Sequence, residues 1–231
     1  MTQASFVTQK SGLRDLSAPP MALACSPRAG GNSDTLAMAF AQGFDEASLA
    51  SSQLPMQVQH LRDYAIRPCM ACYACEPEPL TKHCAPCPLG RGPKADHAEQ
   101  LFHMLMHTPA LYMSAPIFFY HLPAHMKAFV DRGQSYWLRR MAADAELCAL
   151  PARPAWLSLV AARRRGDKLF EGSLVSLRFF LQIFNFVLQE PEILLGYDDA
   201  HAIARDTSIV AQTVNYGRRA AQSLYDGTWQ G

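Results

Sequence analysis

Cys69-Met70-Ala71-Cys72-Tyr73-Ala74-Cys75, with Cys84 and Cys87 close behind, places five of the seven cysteines within nineteen residues. Thiolates at two-residue intervals can converge on one metal or one cluster, whereas core cysteines scatter. One reading is a [4Fe–4S] cluster on Cys69, Cys72, Cys75 and Cys84, with Cys87 competing for the fourth place. A second is a zinc site on the paired Cys72-x-x-Cys75 and Cys84-x-x-Cys87 units, although their eight-residue spacer is shorter than in common zinc ribbons. His83 and His97 flank the segment, and isolated histidines of this kind are more often surface residues than ligands. Cys25 reads as a small core hydrophobe, and Cys148 has no evident partner.

Two further stretches carry chemistry. Ser26-Pro27-Arg28-Ala29-Gly30-Gly31-Asn32-Ser33-Asp34-Thr35 groups hydroxyls, an amide, two glycines and a guanidinium just before a helix start. Exposed N–H groups and a positive helix end suit a phosphate there, and an ordinary capped turn has the same composition. The stretch lacks both the Gly-x-Gly-x-x-Gly fingerprint and the P-loop lysine. Ser114-Ala115-Pro116-Ile117-Phe118-Phe119-Tyr120-His121 ends an apolar run in a proline followed by aromatics, a wall for a flat ring or a core-packing turn. Arg163-Arg164-Arg165 is a charge run that either attracts a phosphate or is simply solvated.

These residues need a scaffold that brings loop ends together. Residues 21–25 read as a buried strand, Val58 and Leu61 mark a second, and residues 110–114 give a third. Residues 156–161 give a fourth, and Ile193-Leu194-Leu195 a fifth. Between them fall helical patterns: Leu36, Phe40, Phe44 and Ala47; then Leu101, Phe102, Leu105 and Met106 behind an Asp96/Glu99 capping box. Met126, Phe129 and Val130 mark a third helix, residues 174–186 a fourth, and Val210, Val214, Gly217, Ala221 and Leu224 a last. Strands alternating with helices imply a parallel sheet covered on both faces, with ligands beyond the strands' carboxyl ends. Residues 62–95, with six prolines, read as an ordered functional loop, and residues 1–20 as a flexible lead-in to a domain over 21–231.

Composition excludes several classes. Apolar residues make up 49%, charged residues 18%, and the net charge is +1 with mixed signs, so no nucleic-acid footprint appears. No apolar run reaches a membrane span, the longest candidate at 179–188 being broken by Gln182 and Asn185. The start of the chain has no basic-then-apolar signal pattern, so the expected setting is a reducing cytoplasm, where thiols bind metal or do redox work.

Ser26-Pro27-Arg28-x-x-Gly31-Asn32-Ser33, the Ala115-Pro116-x-x-Phe119-Tyr120 turn and Lys127-Ala128-Phe129-Val130-Asp131-Arg132 occur in that order. Together they resemble the flavodoxin-like NAD(P)H-dependent FMN reductases from about residue 21 onward, and the cysteine segment looks like that of the iron–sulfur flavoprotein branch. The resemblance implies a three-layer α/β/α fold with five strands in the order 2-1-3-4-5 and FMN at the switch point. It assigns the FMN phosphate to Ser26, Arg28, Asn32 and Ser33, and the isoalloxazine wall to Ala115, Pro116, Ile117, Phe118 and Phe119. It implies electrons passing from NAD(P)H or a ferredoxin-like donor through FMN to a small acceptor or to the cluster. Relatives also keep part of the cysteine pattern in a bare loop. A homo-oligomer is implied as well, with Tyr136 and Trp137 as contact residues or as core. An electron carrier or redox sensor without turnover, and a zinc-stapled binding module without flavin, are the other readings.

Overall fold

The computed structural model describes residues 18–49, 54–76 and 84–229. Most of the expected lead-in, His83 and the middle of the cysteine segment lie outside the described residues. Strands β1 (Met21–Ala24), β2 (Gln57–His60), β3 (Leu111–Pro116), β4 (Arg153–Ala161), β5 (Phe186–Leu188) and β6 (Glu192–Leu195) form one parallel sheet. Its order is β2-β1-β3-β4-β5, with β6 also on β4, which is the expected architecture with its last strand in two pieces. Trp156 and Leu157 of β4 face the three residues Gln189-Glu190-Pro191, so one extra residue bulges from the edge.

The expected helix over 174–186 is therefore displaced, running three residues past the observed end. Helix α6 covers Glu171–Ile183, and Asn185, at a φ of 56°, turns the chain so that Phe186 enters β5. Asparagine tolerates that left-handed geometry better than any other residue with a side chain, and its amide donates to the Leu150 carbonyl at 2.7 Å. Apolar periodicity alone runs on through the turn and misses it.

Side-chain alternation sorts the core into two layers. Met21, Leu23, Leu111, Met113, Leu157 and Leu159 face α2 (Ala98–His107), α3 (Ala124–Arg132), α4 (Gln134–Met141), the short α5 (Ala145–Cys148) and α6. There Phe102 stacks on Phe129 at 4.7 Å and on Phe184 at 5.7 Å. Tyr136 belongs to this layer, 6% exposed and donating its hydroxyl to Glu99, so it is core rather than contact surface. That bond also occupies Glu99, and the Asp96 amide donates to Leu89, so the expected reciprocal capping box does not form.

Ala22, Ala24, Tyr112 and Trp156 face α1 (Asn32–Ser48) and the final helix α8 (Thr207–Tyr225), which follows the short α7 (Ala202–Arg205). Alanines in β1 leave room for Phe40, which stacks on Tyr112 at 3.9 Å. Helices α1 and α8 touch backbone to backbone. A Cβ on Gly43 would lie 1.8 Å from the Val214 carbonyl oxygen, and one on Gly217 would lie 2.0 Å from that of Phe40.

At the base of β4, Arg153 is 3% exposed and has no carboxylate partner among the described residues. Its Nη1 donates to the carbonyls of Leu105, Met106 and Thr108 at 2.7–3.1 Å, its Nη2 donates to that of Phe184, and the guanidinium lies 4.2 Å from the Phe186 ring. These are end-of-helix carbonyls of α2 and α6, which no intrahelical donor satisfies. Burial pushes the guanidinium's pKa down to about 9.

Gly217→Ala should lower stability by about 3 kcal/mol, because backbone rather than a flexible side chain must move. Urea denaturation measures this, and an unchanged midpoint would mean that the helices separate freely.

Candidate active site

Parallel strands gather the carboxyl ends of β1, β3, β4 and β6 on one edge, where three loops meet. The first follows β1. Gly30, at a φ of +66°, turns the chain; its N–H donates to Asp34 Oδ2 at 2.7 Å and its carbonyl oxygen lies 2.9 Å from His201 Nδ1. Arg28 N donates to Ser26 Oγ at 3.1 Å, and Gly31 enters α1 in extended conformation. The amides of the first helical turn have no intrahelical acceptor. Ser33 Oγ, in that turn, is buried without a hydrogen-bond partner, while Ser114 Oγ donates to the Ser33 carbonyl at 2.8 Å. The Arg28 side chain is exposed and makes no hydrogen bond or ion pair among the described residues.

Asn32 has a different duty. Its Nδ2 donates to the Asp199 carbonyl at 2.8 Å and its Oδ1 accepts from Ile203 N at 3.0 Å, so both polar atoms staple the turn after β6 to the first loop. Behind them Asp34 Oδ1 meets Arg62 at 2.9 Å and His60 at 3.4 Å, which fixes the end of β2. Sequence reading overlooked Asp34, His60, Arg62 and His201. Asp34 stood two residues beyond the expected cap, and the others become neighbours only through the sheet.

The second loop follows β3. Ile117 N donates to the Val160 carbonyl at 2.7 Å, and Phe118 and His121 exchange backbone hydrogen bonds across a two-residue turn. Phe119 and Tyr120 occupy its tip at φ of 48° and 64°, positions usually taken by Asn-Gly. Holding bulky residues there costs about 1–2 kcal/mol each. The turn is pinned from outside: Arg163 donates to the Tyr120 hydroxyl at 2.9 Å with its guanidinium 5.3 Å from the ring, and His121 packs on Gly172 and meets Ser176 Oγ at 3.3 Å. Phe119 is left fully exposed.

A cavity of about 290 Å³ lies between this turn and the loop after β4, lined by Ile117, Phe119, Tyr120, Ala161, Ala162, Arg163 and Leu169. Of the expected ring wall, Ile117 and Phe119 line the cavity. Ala115 is fully buried core, Pro116 ends the strand half-buried, and Phe118 is exposed beside the opening.

The cysteine segment disagrees with the expected ligand set. Among the described residues no three His, Cys, Asp or Glu side chains converge as metal ligands do. Cys69 and Cys72 are exposed, Cys75 is half-buried, and Cys84 and Cys87 are buried. Burial raises the Cys75 pKa, followed by its thiol neighbours Cys87, Cys69 and Cys72. Burial raises that of Cys84 too, but the charges near it are Arg139 and Asp144. Cys69 and Cys72 lie in solvent while Cys84 is buried, and no three of these side chains converge among the described residues, so the residues as arranged do not fit a [4Fe–4S] group on Cys69, Cys72, Cys75 and Cys84. His97 is also occupied, accepting from Ala65 N at 3.1 Å.

The segment is tied down by a buried ion pair instead. Asp96 Oδ2 accepts from Arg132 at 2.5 Å and from Arg67 N at 3.0 Å, its Oδ1 accepts from Ala98 N, and Arg132 also donates to the Arg67 carbonyl. The two side chains are 4% and 1% exposed.

Comparison with known proteins bears on the same region. The family model for NADPH-dependent FMN reductase matches residues 21–169, which spans β1 through the loop after β4. The chain belongs to this family. FMN reductase membership makes it an oxidoreductase that works with FMN and a nicotinamide. A search of curated proteins finds no match. Among solved structures, a flavone reductase superposes at a TM-score of 0.62 with 12% identity, over 90% of this chain and 64% of that one. The NAD(P)H:quinone oxidoreductase from Methanothermobacter marburgensis gives 0.56 with 17% identity, over 88% and 94%. The azoreductase AzrA gives 0.55 with 13% identity, over 87% and 98%. At these identities the likeness concerns the fold. No helix among the described residues is long and apolar enough to cross a membrane.

Asp96 carries a pH signature. Burial alone would raise its pKa, but hydrogen bonds from Arg132, Arg67 and Ala98 outweigh that and hold it below the usual range. A depressed folded value means stability present above the unfolded value of ~3.9 and lost as pH falls through the folded one. Asp96→Asn should cost about 3–5 kcal/mol at neutral pH and flatten the acid limb of the stability curve. Denaturation midpoints measured across that range check it; an acid limb like the wild type's would remove Asp96 as the anchor.

Proposed function

We propose that the chain reduces a small organic acceptor at the expense of NAD(P)H, using FMN held between the loops after β1, β3 and β4. One observation carries the reading: Ser33 Oγ is buried without a partner in the first turn of α1, whose amides have no intrahelical acceptor, near the uncommitted Arg28 side chain. An orphaned hydroxyl at a helix N-terminus is what a bound phosphate would satisfy. The residues therefore fit the flavin phosphate, with Ser26 shaping the loop, Asn32 bracing it and Arg28 adding a fork of donors.

When bound, FMN supplies hydride acceptance from the nicotinamide and onward reduction of the acceptor. The chain supplies placement. Ile117 and Phe119 give one apolar side to the ring, and Tyr120 clamped by Arg163 keeps that side rigid. No nucleophile or general-base set is needed. The donor in this reading is the nicotinamide rather than a ferredoxin-like protein, in keeping with the family. The cysteine segment is assigned no cluster and no part in electron exit. Acceptors of the quinone or azo kind suit a cavity walled by aromatic and aliphatic side chains, and two structural neighbours are a quinone oxidoreductase and an azoreductase.

The reading includes a homo-oligomer. Val175 and Phe179, 48% and 62% exposed, share a stripe of α6 with Gly172, which adjoins the turn bearing the exposed Phe118 and Phe119. Such a contiguous apolar stripe beside a site supports burial against a second copy. Light scattering should give more than one chain per particle, and a strict monomer with flavin bound would overturn this part.

Ser33→Ala should leave the flavin-free protein's stability unchanged, because no hydrogen bond is lost, yet weaken FMN binding about tenfold. Fluorescence titration of FMN into the flavin-free protein reads both arms together with a melting curve. Wild-type protein that takes up no FMN, or oxidises neither NADPH nor NADH with a quinone present, would sink the proposal.

A further inference from the structure

Arg132 does more than pair with Asp96. It is 2% exposed on α3, and only its Nη1 is occupied, by Asp96 and by the Arg67 carbonyl. Nε and Nη2 are buried and find no hydrogen-bond partner among the described residues. Together these two nitrogens form the side edge of the guanidinium, a fork that oxygen acceptors fit. Buried donors of a charged group are seldom left unmet, so that edge calls for an acceptor. Asp96 cannot serve twice, because its oxygens already accept from Arg132 Nη1, Arg67 N and Ala98 N.

The sulfur beside this edge is that of Cys87. The Cys87 carbonyl accepts from Gly90 N at 3.0 Å, which closes a short turn over Pro88–Gly90. In that turn the Leu89 carbonyl accepts from Asp96 N at 2.8 Å and from Arg67 Nη2 at 2.9 Å. Cys87 is thereby fixed to the same two residues that hold Arg132. A thiol sulfur is a weak acceptor, so the fork stays unmet while Cys87 is a thiol. An oxygen carried on that sulfur would be a strong one. Cys87 is 9% exposed, closed to bulky reagents but within reach of a molecule little larger than water.

We propose that Cys87 is a site of oxidation by hydroperoxides, converted to a sulfenic acid whose oxygen accepts from Arg132 Nε and Nη2. The sulfur attacks one peroxide oxygen, an S–O bond forms and the O–O bond breaks. Sulfur gives up two electrons to the peroxide, and the thiol proton leaves with the departing oxygen as water or an alcohol. The guanidinium offsets the negative charge that gathers on sulfur and oxygen as that bond breaks. Added thiol reverses the change through a mixed disulfide. Cys25 provides the contrast: it is buried too, but no cation acts on it and burial alone raises its pKa.

Competition among the thiols of the fully reduced protein tests this. Substoichiometric hydrogen peroxide is added, samples are quenched at intervals, remaining thiols are alkylated after unfolding, and each cysteine peptide is read by mass. Cys87 should lose its thiol about tenfold faster than the exposed Cys69, Cys72 and Cys148, and Cys25 should stay reduced. In Cys69→Ser/Cys72→Ser/Cys75→Ser protein, where thiols of the same segment cannot condense with the product, Cys87 should carry one added oxygen that dithiothreitol removes. Arg132→Lys keeps a cation for Asp96 without the side fork, and should slow Cys87 to the rate of Cys148. If that variant does not fold, the order of reaction in the wild type decides alone. Three results would overturn the assignment: an exposed thiol oxidised as fast as Cys87, a Cys87 thiol left intact, or a folded Arg132→Lys protein that oxidises Cys87 at the wild-type rate.

Discussion

Everything at the ligand edge depends on a cation at the opposite edge. Arg153 collects the orphan carbonyls that end α2 and α6, and does so at the first residue of β4. A buried guanidinium without a carboxylate is costly, and here helix-end dipoles and the Phe186 ring stand in for one. With its C-terminus fixed at the base of the sheet, α6 must deliver its N-terminus about 20 Å away, at the top. That is where Gly172 meets His121 and the Arg163–Lys168 loop closes the cavity. The clamp therefore sets the distance between the β3 turn and the β4 loop, although none of its atoms is near either.

The second layer works by close approach instead of charge. Gly43 and Gly217 let α1 and α8 touch through backbone, which leaves little freedom to slide. The N-terminus of α1 is then braced twice more, by Asn32 on the turn after β6 and by Ser114 on the Ser33 carbonyl. A phosphate loop has to present several amides to one small anion, so positional error is expensive there. Reaching that stiffness through long-range contacts leaves the amides of the first turn of α1 without an intrahelical acceptor.

This division explains what was legible in the sequence. The parallel sheet and its order could be read because buried strands are short apolar runs separated by helical periods. The turn from Ser26 into α1 could be read as the start of a helix, because glycine and serine there precede an apolar helical period, although the same composition serves an ordinary capped turn. Asn185 hid the start of β5, since the apolar run through Phe184 and Phe186 carries no periodicity break. The true partners of Asn32 lie some 170 residues away, and a single sequence holds no trace of that pairing. Its amide looked like a phosphate donor because composition cannot say which acceptors a side chain has already found. Ala115 misled for a related reason: a motif marks the strand end, but the pleat decides which residues of it face the ligand.

The cysteine segment shows the same limit in its sharpest form. Spacing alone made Cys84 the fourth member of a set, as the nearest thiol along the chain. In the fold, Asp96 and Arg132 anchor Arg67 at the start of α2, Cys87 acts on Arg132, and the charges acting on Cys84 are Arg139 and Asp144. The Arg132 guanidinium keeps Nε and Nη2 without hydrogen-bond partners while the Cys87 sulfur faces it. Charge thus singles out Cys87 where chain distance singled out Cys84. Sequence proximity measures how cheaply a loop closes, and that cost grows only slowly with length. Removing one partner of a buried ion pair costs about 3–5 kcal/mol, more than the difference between a nine- and a twelve-residue closure. The surroundings of Cys87 are therefore set by the anchor, not by the motif.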